Sequence, residues 1–391
     1  MWSSTAIAES EVEIAHNGEN VGKGDMMFRS KTSQFLALAA FNLVGLIVLI
    51  VGVELILGNW LTPYVVPRNG YVNRSYVYRQ NIYLPHKTIT YSRDRFGLRG
   101  VHEPLQKVEL VTVGGSTTDQ RLVGDGETWQ DVLRAQTGIA VANAGVDGMT
   151  SFGHIVSVRE WLHRLPNFSP RFYLHLIGGN DAELSSGPKP SDRGGNEASL
   201  VRVLRARSFI VTAIENLWFK LWGPRAAGHT AITLPPGHGS DEMVKANADI
   251  PKIQDYITEH YKPNLRKLIN LHRSRGENVI MVSQPANPAL VKWQQPDTYV
   301  AAWKTSLGQW AIALGSINAA TREICEEAAD VCHFIDLADE LKLEPADFYD
   351  RVHSTASGVQ KIGAFLAGHL AFVERGEKAE SDRGKIPASG R

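Results

Sequence analysis

The alternation of short apolar strands with helical segments constrains the fold of this chain more than any other feature. Strands are predicted over residues 108–113, 139–142, 172–177, 278–283 and 331–337. Helices are predicted between them over residues 128–136, 153–165, 253–274 and 301–328. Strand–helix–strand order of this kind predicts an α/β fold with a central parallel sheet flanked by helices. Such sheets bind ligands at the carboxyl ends of their strands, where Gly-rich turns follow Val113, Ala142 and Ile177.

A long apolar run near the N-terminus predicts a membrane span. Residues 35–53 are apolar apart from Asn42, and none of the 19 is charged. As a helix this run would extend about 28 Å, which is close to the thickness of the bilayer's hydrocarbon core. A cleaved signal peptide would have a shorter apolar core, and a buried helix would normally show a polar stripe. We therefore predict an uncleaved anchor over residues 35–57, after a polar segment over residues 1–34.

Basic residues on the two sides of this run indicate its orientation. Lys23, Arg29 and Lys31 precede it, whereas the first basic residues after it are Arg68 and Arg74. The positive-inside rule then predicts a cytoplasmic N-terminus and an exported domain, in the periplasm or outside the cell. The 41 basic and 41 acidic residues of the whole chain cancel, which disfavours a nucleic-acid partner.

The 391 residues, 43% of them hydrophobic, suffice for an anchor and one large domain, which we assign to residues 60–375. An insertion over residues 182–250 interrupts the strand–helix pattern with Gly/Pro-rich stretches and a predicted helix near residues 200–222. Trp218 and Trp222 share one face of that helix, which fits a substrate lid or a peripheral helix packed on the sheet. Residues 376–391 are charged and small, and we predict a disordered tail there.

Two cysteines, Cys325 and Cys332, stand seven residues apart between a predicted helix and strand. An oxidising compartment would permit a disulfide, and the alternative is two unpaired cysteines packed as small hydrophobes. They and the adjacent His333 lack the second ligand cluster of a zinc site, and His154, His163 and His175 show no ligand spacing. No metal or cofactor is implied.

Four polar motifs follow predicted strands or precede the last helix. Gly114-Gly115-Ser116-Thr117 allows a sharp turn that would present the Ser116 hydroxyl as a nucleophile. Asp350 and His353 are three residues apart and could form a carboxylate–imidazole pair that takes its proton. Gly148, within Asn143-Ala144-Gly145-Val146-Asp147-Gly148, and Asn180, within Gly178-Gly179-Asn180-Asp181, could donate hydrogen bonds to an oxyanion. Each motif alone is common, because glycine and asparagine also stabilise ordinary turns.

Together and in this order, the motifs resemble the SGNH/GDSL hydrolase family, whose conserved blocks carry Ser, Gly, Asn and Asp-x-x-His along the chain. The resemblance covers roughly residues 90–370 and implies a three-layer, flavodoxin-like fold. It also implies a catalytic triad of Ser116, Asp350 and His353, with an oxyanion hole formed by Ser116, Gly148 and Asn180. The namesake Gly-Asp-Ser-Leu reads Gly-Gly-Ser-Thr here, which weakens assignment to the lipase branch. Asp-Arg-Phe-Gly-Leu-Arg-Gly at residues 94–100, after an anchor, looks like exported bacterial members of the family.

The function expected from this resemblance is hydrolysis of an acyl ester through an acyl-enzyme, with an acylated small molecule or envelope glycan as substrate. One alternative is an O-acyltransferase that uses the same triad and passes the acyl group to a sugar hydroxyl. A second is an inactive carbohydrate-binding or scaffold protein, against which the presence of all five site residues argues. The acyl length, the alcohol and the oligomeric state are not encoded in these motifs.

Overall fold

A computed structural model describes residues 18–67, 72–80, 82–84, 87–185, 187–189, 191–192, 200–222, 250–288 and 305–383. The chain divides into two compact units, residues 1–58 and 59–391. The first unit contains helix α1, Gly18–Leu57. Its segment Ser33–Leu57 is the one helix among the described residues that is long and apolar enough to cross a membrane, and its side chains are not buried.

The second unit is built on a parallel sheet of five strands in the order β4-β3-β5-β6-β7. A separate antiparallel pair, β1 and β2, precedes it. The strands are β1 Arg74–Gln80, β2 Lys87–Arg93, β3 Leu110–Gly114, β4 Val141–Asn143, β5 Phe172–Leu176, β6 Asn278–Val282 and β7 Cys332–Ile335. Counting only the parallel strands, their order is 2-1-3-4-5, which is that of flavodoxin-like folds.

Helices cover both faces of the sheet. They are α2 Ser116–Asp119, α3 Trp129–Thr137, α4 Ser151–Val156, α5 Leu200–Arg207, α6 Phe209–Trp222, α7 Ile250–Tyr256, α8 Lys262–Arg273, α9 Thr305–Glu327, α10 Leu337–Glu340 and α11 Ala356–Arg383. π-Helical turns at Ser157–Trp161 and Ile257–Tyr261 extend α4 and α7.

Side-chain alternation along the strands produces two buried layers. Leu174 faces α3 and α11 and belongs to a cluster with Leu133 and Leu366. The preceding residue, Tyr173, belongs to the opposite cluster, with Leu265 of α8. Because neighbouring side chains of a strand point to opposite faces, a continuous apolar strand requires helices on both sides. The predicted three-layer α/β fold with a central parallel sheet is confirmed.

Several local predictions differ from the structure. The predicted helix over residues 200–222 is two helices that meet at Ser208, whose hydroxyl accepts a hydrogen bond from the Val211 N–H as in a helix cap. The β1–β2 pair was not predicted from the sequence. Helix α11 continues to Arg383, past the predicted start of the tail at Gly376, because its last residues include the helix formers Glu, Lys and Ala. Residues 384–391 are not described.

A disulfide joins Cys325 near the end of α9 to Cys332 at the start of β7, with their Cα atoms 5.2 Å apart. The geometry decides between the two alternatives that the sequence left open, because both sulfurs lie at one bend. The bridge closes a short loop between a helix and a strand of the sheet. It is consistent with an oxidising compartment.

Candidate active site

Ser116 lies at the first residue of α2, directly after β3. Gly114 and Gly115 make this turn possible: a Cβ on Gly114 would approach the Leu176 carbonyl oxygen to 2.9 Å. A Cβ on Gly115 would lie 2.5 Å from Nδ2 of Asn180. A side chain at Gly114 would therefore collide with the backbone, and one at Gly115 would displace the Asn180 amide. Since β3 and β5 flank the point where the strand order reverses, their carboxyl ends form the crevice in which such folds bind ligands.

His353 and Asp350 complete a line of hydrogen bonds with Ser116. His353 Nε2 lies 2.6 Å from Ser116 Oγ, and His353 Nδ1 lies 2.6 Å from Asp350 Oδ2. Asp350 Oδ1 also accepts from the backbone N–H groups of Val352 and His353, at 2.9 and 2.8 Å. Burial alone would raise the pKa of Asp350, but the hydrogen bonds and the nearby imidazole outweigh burial and lower it. The carboxylate is thus held ionised beside the ring.

The stacked ring of Tyr349 packs on the imidazole of His353, with centroids 5.5 Å apart and planes 10° apart. Tyr83 stacks in turn on Tyr349, at 5.2 Å and 6°. Tyr349 N–H donates to the His353 carbonyl. These contacts limit rotation of the imidazole, so its two nitrogens keep their separate partners.

Asn180 and Gly148 lie on two neighbouring turns, after β5 and β4 respectively. Asn180 Nδ2 donates to the Met149 carbonyl at 3.0 Å, which ties the two turns together next to Gly115. Gly148 has φ of +78°, in the left-handed region that favours glycine, and its carbonyl accepts from Ser191 Oγ at 2.6 Å. The structure therefore brings all five residues of the sequence-derived site to one edge of the sheet.

The buried carboxyl of Asp181 supports this edge. Asp181 accepts from the Ser151 N–H at 2.9 Å and from the Ser151 hydroxyl at 2.6 Å, at the start of α4. The Tyr256 hydroxyl donates to the same carboxyl at 3.0 Å. Burial raises the pKa of Asp181 to about 6, although these hydrogen bonds oppose the shift. Asp181 directly follows Asn180 and so fixes the turn that carries its amide.

A second buried carboxylate, Asp119, anchors the other end of the nucleophile's helix. Its Oδ1 accepts from Arg93 Nη2 at 2.7 Å and from the Tyr91 hydroxyl at 2.8 Å, and Arg121 Nε reaches Oδ2 at 3.1 Å. The Arg93 and Asp119 side chains are fully buried. Burial alone would raise the pKa of Asp119, but the surrounding guanidinium groups lower it. The sequence analysis did not predict this ion pair, although the arginine-rich run at residues 93–99 could have indicated it. Arg99 of this run also donates a hydrogen bond from its backbone N–H to the Asn143 carbonyl.

Charged and polar side chains surround the site. Arg121 Nη1 lies 3.3 Å from Asp147 Oδ2, next to Gly148. On the other side, Glu183 pairs with Arg351 at 2.7 Å and with Lys189, whose Nζ donates to the Asn180 carbonyl at 3.1 Å. The turns that carry Gly148 and Asn180 therefore lie among charged side chains.

A separate buried network links four histidines to Glu277. Nδ1 of His154 lies 2.9 Å from Nδ1 of His175, whose Nε2 lies 3.1 Å from Nε2 of His272. Glu277 Oε2 lies 2.8 Å from His272 Nδ1 and 2.9 Å from His163 Nε2. Burial alone would raise the pKa of Glu277, but its two histidine partners lower it to about 2. Burial lowers the pKa of His154 to about 3.

His163, His272 and Glu277 place ligand-type atoms within 4.8 Å of one another, which is the one such group among the described residues. Sequence spacing assigned these histidines no ligand role. The carboxylate that would bind a cation already accepts from both rings, and its other oxygen accepts from Arg275 Nε at 3.0 Å. A positive guanidinium beside the carboxylate favours a hydrogen-bonded network over a cation site.

Comparison with known proteins supports the motif reading. The family model of GDSL-like lipases and acylhydrolases matches residues 112–361. No curated protein matches the chain. Solved structures similar to it include a GDSL-like lipase from Bacteroides thetaiotaomicron, at 14% identity and a TM-score of 0.36, covering 70% of this chain and 92% of that one. An acetylxylan esterase from Geobacillus stearothermophilus matches at 16% identity and a TM-score of 0.37, covering 66% and 91%. A lipolytic G-D-S-L family protein from Veillonella parvula matches at 14% and 0.36, covering 65% and 93%.

Proposed function

The chain belongs to the GDSL-like lipase/acylhydrolase family and is a hydrolase that acts on ester bonds; from this premise, we propose that Ser116 is the nucleophile of a membrane-anchored serine esterase. The observation that carries the proposal is the unbroken line of hydrogen bonds from Ser116 Oγ through His353 to Asp350, with both links at 2.6 Å. Such a line is what a serine needs before it can attack an ester carbonyl.

In the proposed reaction, Ser116 Oγ attacks the ester carbonyl carbon while His353 Nε2 accepts the hydroxyl proton. Asp350 keeps the Nδ1 proton in place and stabilises the imidazolium that forms. The imidazolium then returns the proton to the departing alcohol oxygen, which leaves an acyl-enzyme on Ser116. Water, deprotonated by His353, attacks this ester, and release of the carboxylic acid restores the free hydroxyl.

The tetrahedral intermediates place a negative charge on the former carbonyl oxygen. We assign its stabilisation to the backbone N–H groups of Ser116 and Gly148 and to the Asn180 amide. Two observations support the assignment: Asn180 Nδ2 lies at the Gly115 backbone, and it is oriented by its bond to the Met149 carbonyl. Donors fixed before the reaction stabilise an oxyanion without reorganising during it.

The proposed substrate is an acyl ester of a polar alcohol, with an envelope glycan as the preferred class. The ion pairs of Arg121 with Asp147 and of Glu183 with Lys189 and Arg351 support a hydroxyl-rich alcohol. An O-acyltransferase would use the same groups and differ only in the second nucleophile. We further propose that α1 spans the membrane with its N-terminus inside, since Lys23, Arg29 and Lys31 precede the span.

Labelling with a fluorophosphonate probe tests the nucleophile in the full-length protein in detergent. We expect stoichiometric labelling of the wild type and no labelling of Ser116→Ala. The control variant Ser274→Ala, which changes an exposed serine directly after α8, should be labelled like the wild type. Equal labelling of Ser116→Ala would overturn the assignment.

Release of acetate from acetylated glycans, compared with release from acetate esters of apolar alcohols, tests the substrate class. Faster turnover of the acetylated glycans is expected, and a preference for the esters of apolar alcohols would contradict the polar-substrate proposal. Adding a glycan acceptor distinguishes the transferase, which would form acylated glycan in place of free acid. A reporter active only outside the cytoplasm, fused at Arg391, tests orientation; a silent but expressed fusion would reverse it.

A further inference from the structure

Helix α6 carries an apolar face that the structure leaves exposed. Ile214, Leu217, Trp218 and Leu221 are 60%, 57%, 52% and 61% exposed. Their spacing of three, four and seven residues from Ile214 puts them on one side of the helix. A soluble domain normally turns such a face inward, because burying apolar area is the main gain of folding. Exposed contiguous apolar patches of this kind mark interaction sites.

Three polar residues of the same helix, Thr212, Glu215 and Asn216, face the protein. Glu215 Oε2 pairs with the buried guanidinium of Arg74 at 2.6 Å, and Asn216 Nδ2 donates to the Asn73 carbonyl at 3.1 Å. Thr212 is 3% exposed. Helix α6 is therefore oriented with its polar side on β1 and its apolar side outward, which is the reverse of an ordinary surface helix. Turning the helix over would strip the Arg74 charge of its carboxylate partner, so the orientation is fixed by contacts within the domain.

The start of α6 is tied to the segment that follows the apolar span. Arg207, the last residue of α5, donates from Nη1 to the carbonyls of Asn59 and Trp60, at 3.2 and 3.0 Å. The Asn59 N–H donates back to the Arg207 carbonyl at 2.8 Å. Asn59 is two residues beyond Leu57, the end of α1, so the chain between them extends about 7 Å at most. A membrane that holds the span must therefore pass close to the junction of α5 and α6.

The composition of the two helices suits a lipid headgroup region. Lys220 of α6 is exposed, and Arg205 of α5 stays 53% exposed although it pairs with Glu215 at 2.7 Å. Tryptophan, such as Trp218, is the residue type that concentrates at membrane–water interfaces. A helix with leucine and tryptophan on one side and basic residues nearby binds in the plane of an anionic bilayer surface. We propose that the face of Ile214, Leu217, Trp218 and Leu221 inserts into the interface of the same membrane that holds α1. The domain would then be attached at two places. This inference rests on the proposed membrane anchor.

The test uses the full-length protein in vesicles of phosphatidylethanolamine and phosphatidylglycerol, with and without brominated acyl chains. Three single substitutions each carry one environment-sensitive fluorophore: Leu217→Cys on the apolar face, Gly45→Cys in the span, and Lys267→Cys on an exposed, polar part of α8. Cys325 and Cys332 are joined to each other and do not compete for the label. We expect brominated lipid to quench the fluorophores at Leu217→Cys and Gly45→Cys at least threefold more than the one at Lys267→Cys.

The three positions separate the possible results. Quenching at Gly45→Cys without quenching at Leu217→Cys would overturn the interfacial helix and leave the anchor standing. Loss of quenching at both positions would overturn the anchor and the inference together, while fluorophosphonate labelling of Ser116 would still report separately on the esterase. Protection of Leu217→Cys from aqueous iodide without lipid quenching would mean that protein, such as residues 223–249 or a second copy, covers the face; this also overturns the inference.

Discussion

Replacing Gly115 by alanine should reduce turnover sharply and leave folding nearly unchanged. The new methyl carbon would lie 2.5 Å from Asn180 Nδ2, whereas ordinary contacts of this kind are about 3.4–4 Å, so the amide must retreat by about 1 Å. The next contact, with the Met149 carbonyl oxygen at 3.5 Å, is normal, and the Gly115 φ of −79° lies outside the left-handed region that favours glycine. The clash thus falls on the end of one side chain.

A donor displaced by about 1 Å no longer meets the developing oxyanion. Losing one preorganised donor costs about a hundredfold to a thousandfold in kcat, or roughly 3–4 kcal/mol. We expect Gly115→Ala to lose about a hundredfold in kcat on a chromogenic acetate ester, with KM changed much less. Its free energy of unfolding should fall by less than about 1 kcal/mol, because Asn180 can rotate. Gly114→Ala is the contrast: its methyl would meet the Leu176 backbone carbonyl, so it should lose stability first.

Asn180→Ala provides the control for the mechanism. It should itself lower kcat by about a hundredfold to a thousandfold. If Gly115→Ala acts by moving the amide, adding it to Asn180→Ala should cost little more, because there is no amide left to displace. Wild-type turnover in folded Gly115→Ala would refute this reasoning. So would an equal loss of kcat from Gly115→Ala in the wild-type and Asn180→Ala backgrounds.

Four further outcomes follow from the same geometry. Ser116→Ala should abolish acyl-enzyme formation, and His353→Ala combined with it should lower the residual rate little, because the two act as a unit; additive losses measured by kcat would contradict this. Neither Cys325 nor Cys332 should react with iodoacetamide in the folded protein until it is reduced, and reduction should lower stability by about 2–3 kcal/mol in denaturant titrations; two reactive thiols before reduction would disprove the bridge. The variant Asp119→Ala leaves Arg93 buried without its carboxylate partner and should lower the free energy of unfolding by about 3–5 kcal/mol. A decrease below about 1 kcal/mol in a denaturant titration would show that the ion pair is dispensable. The pKa of His154 falls from 6.5 to about 3 on folding, so the unfolded chain binds more protons than the folded chain between these pH values, and the free energy of unfolding should decline as the pH drops below 6.5, by up to about 1.4 kcal/mol per pH unit. Asp181, whose pKa is raised from 3.8 to about 6, acts in the opposite sense. The variant His154→Phe should therefore show a smaller decline in melting temperature with falling pH than the wild type.

Sequence reasoning predicted the parallel sheet and the placement of the polar motifs because both depend on local patterns. Apolar runs such as residues 172–177 read as buried strands, and Ser116 and Asn180 follow two of them at glycine-rich turns. The boundaries moved by only a few residues where caps define them, as at Thr128, whose side chain accepts from the Asp131 N–H.

The parts that sequence did not predict depend on contacts between distant segments. Arg93 meets Asp119 across 26 residues, and His175 meets His272 across 97, and no spacing rule relates such positions. The outward apolar side of α6 was likewise hidden, since an amphipathic pattern fixes which residues share a side but not which side faces the protein. The lid suggested for residues 182–250 stays a prediction. Among the described residues of this segment, those of α6 contact β1, whereas residues 186, 190, 193–199 and 223–249 lie outside the described residues.

The ion pair between Arg93 and Asp119 also limits how far the chain can be shortened from its N-terminal side. The family match begins at residue 112, after the arginine, whereas the carboxylate lies within it. A shortened chain that starts at residue 112 would leave Asp119, in the helix that begins at Ser116, with Arg121 but without its buried partner Arg93. It would also lose the backbone hydrogen bond from the Arg99 N–H to the Asn143 carbonyl. Soluble versions made for crystallisation or inhibitor screening should therefore retain the strand pair from residue 72 onward and remove only the part of the chain before Asn59.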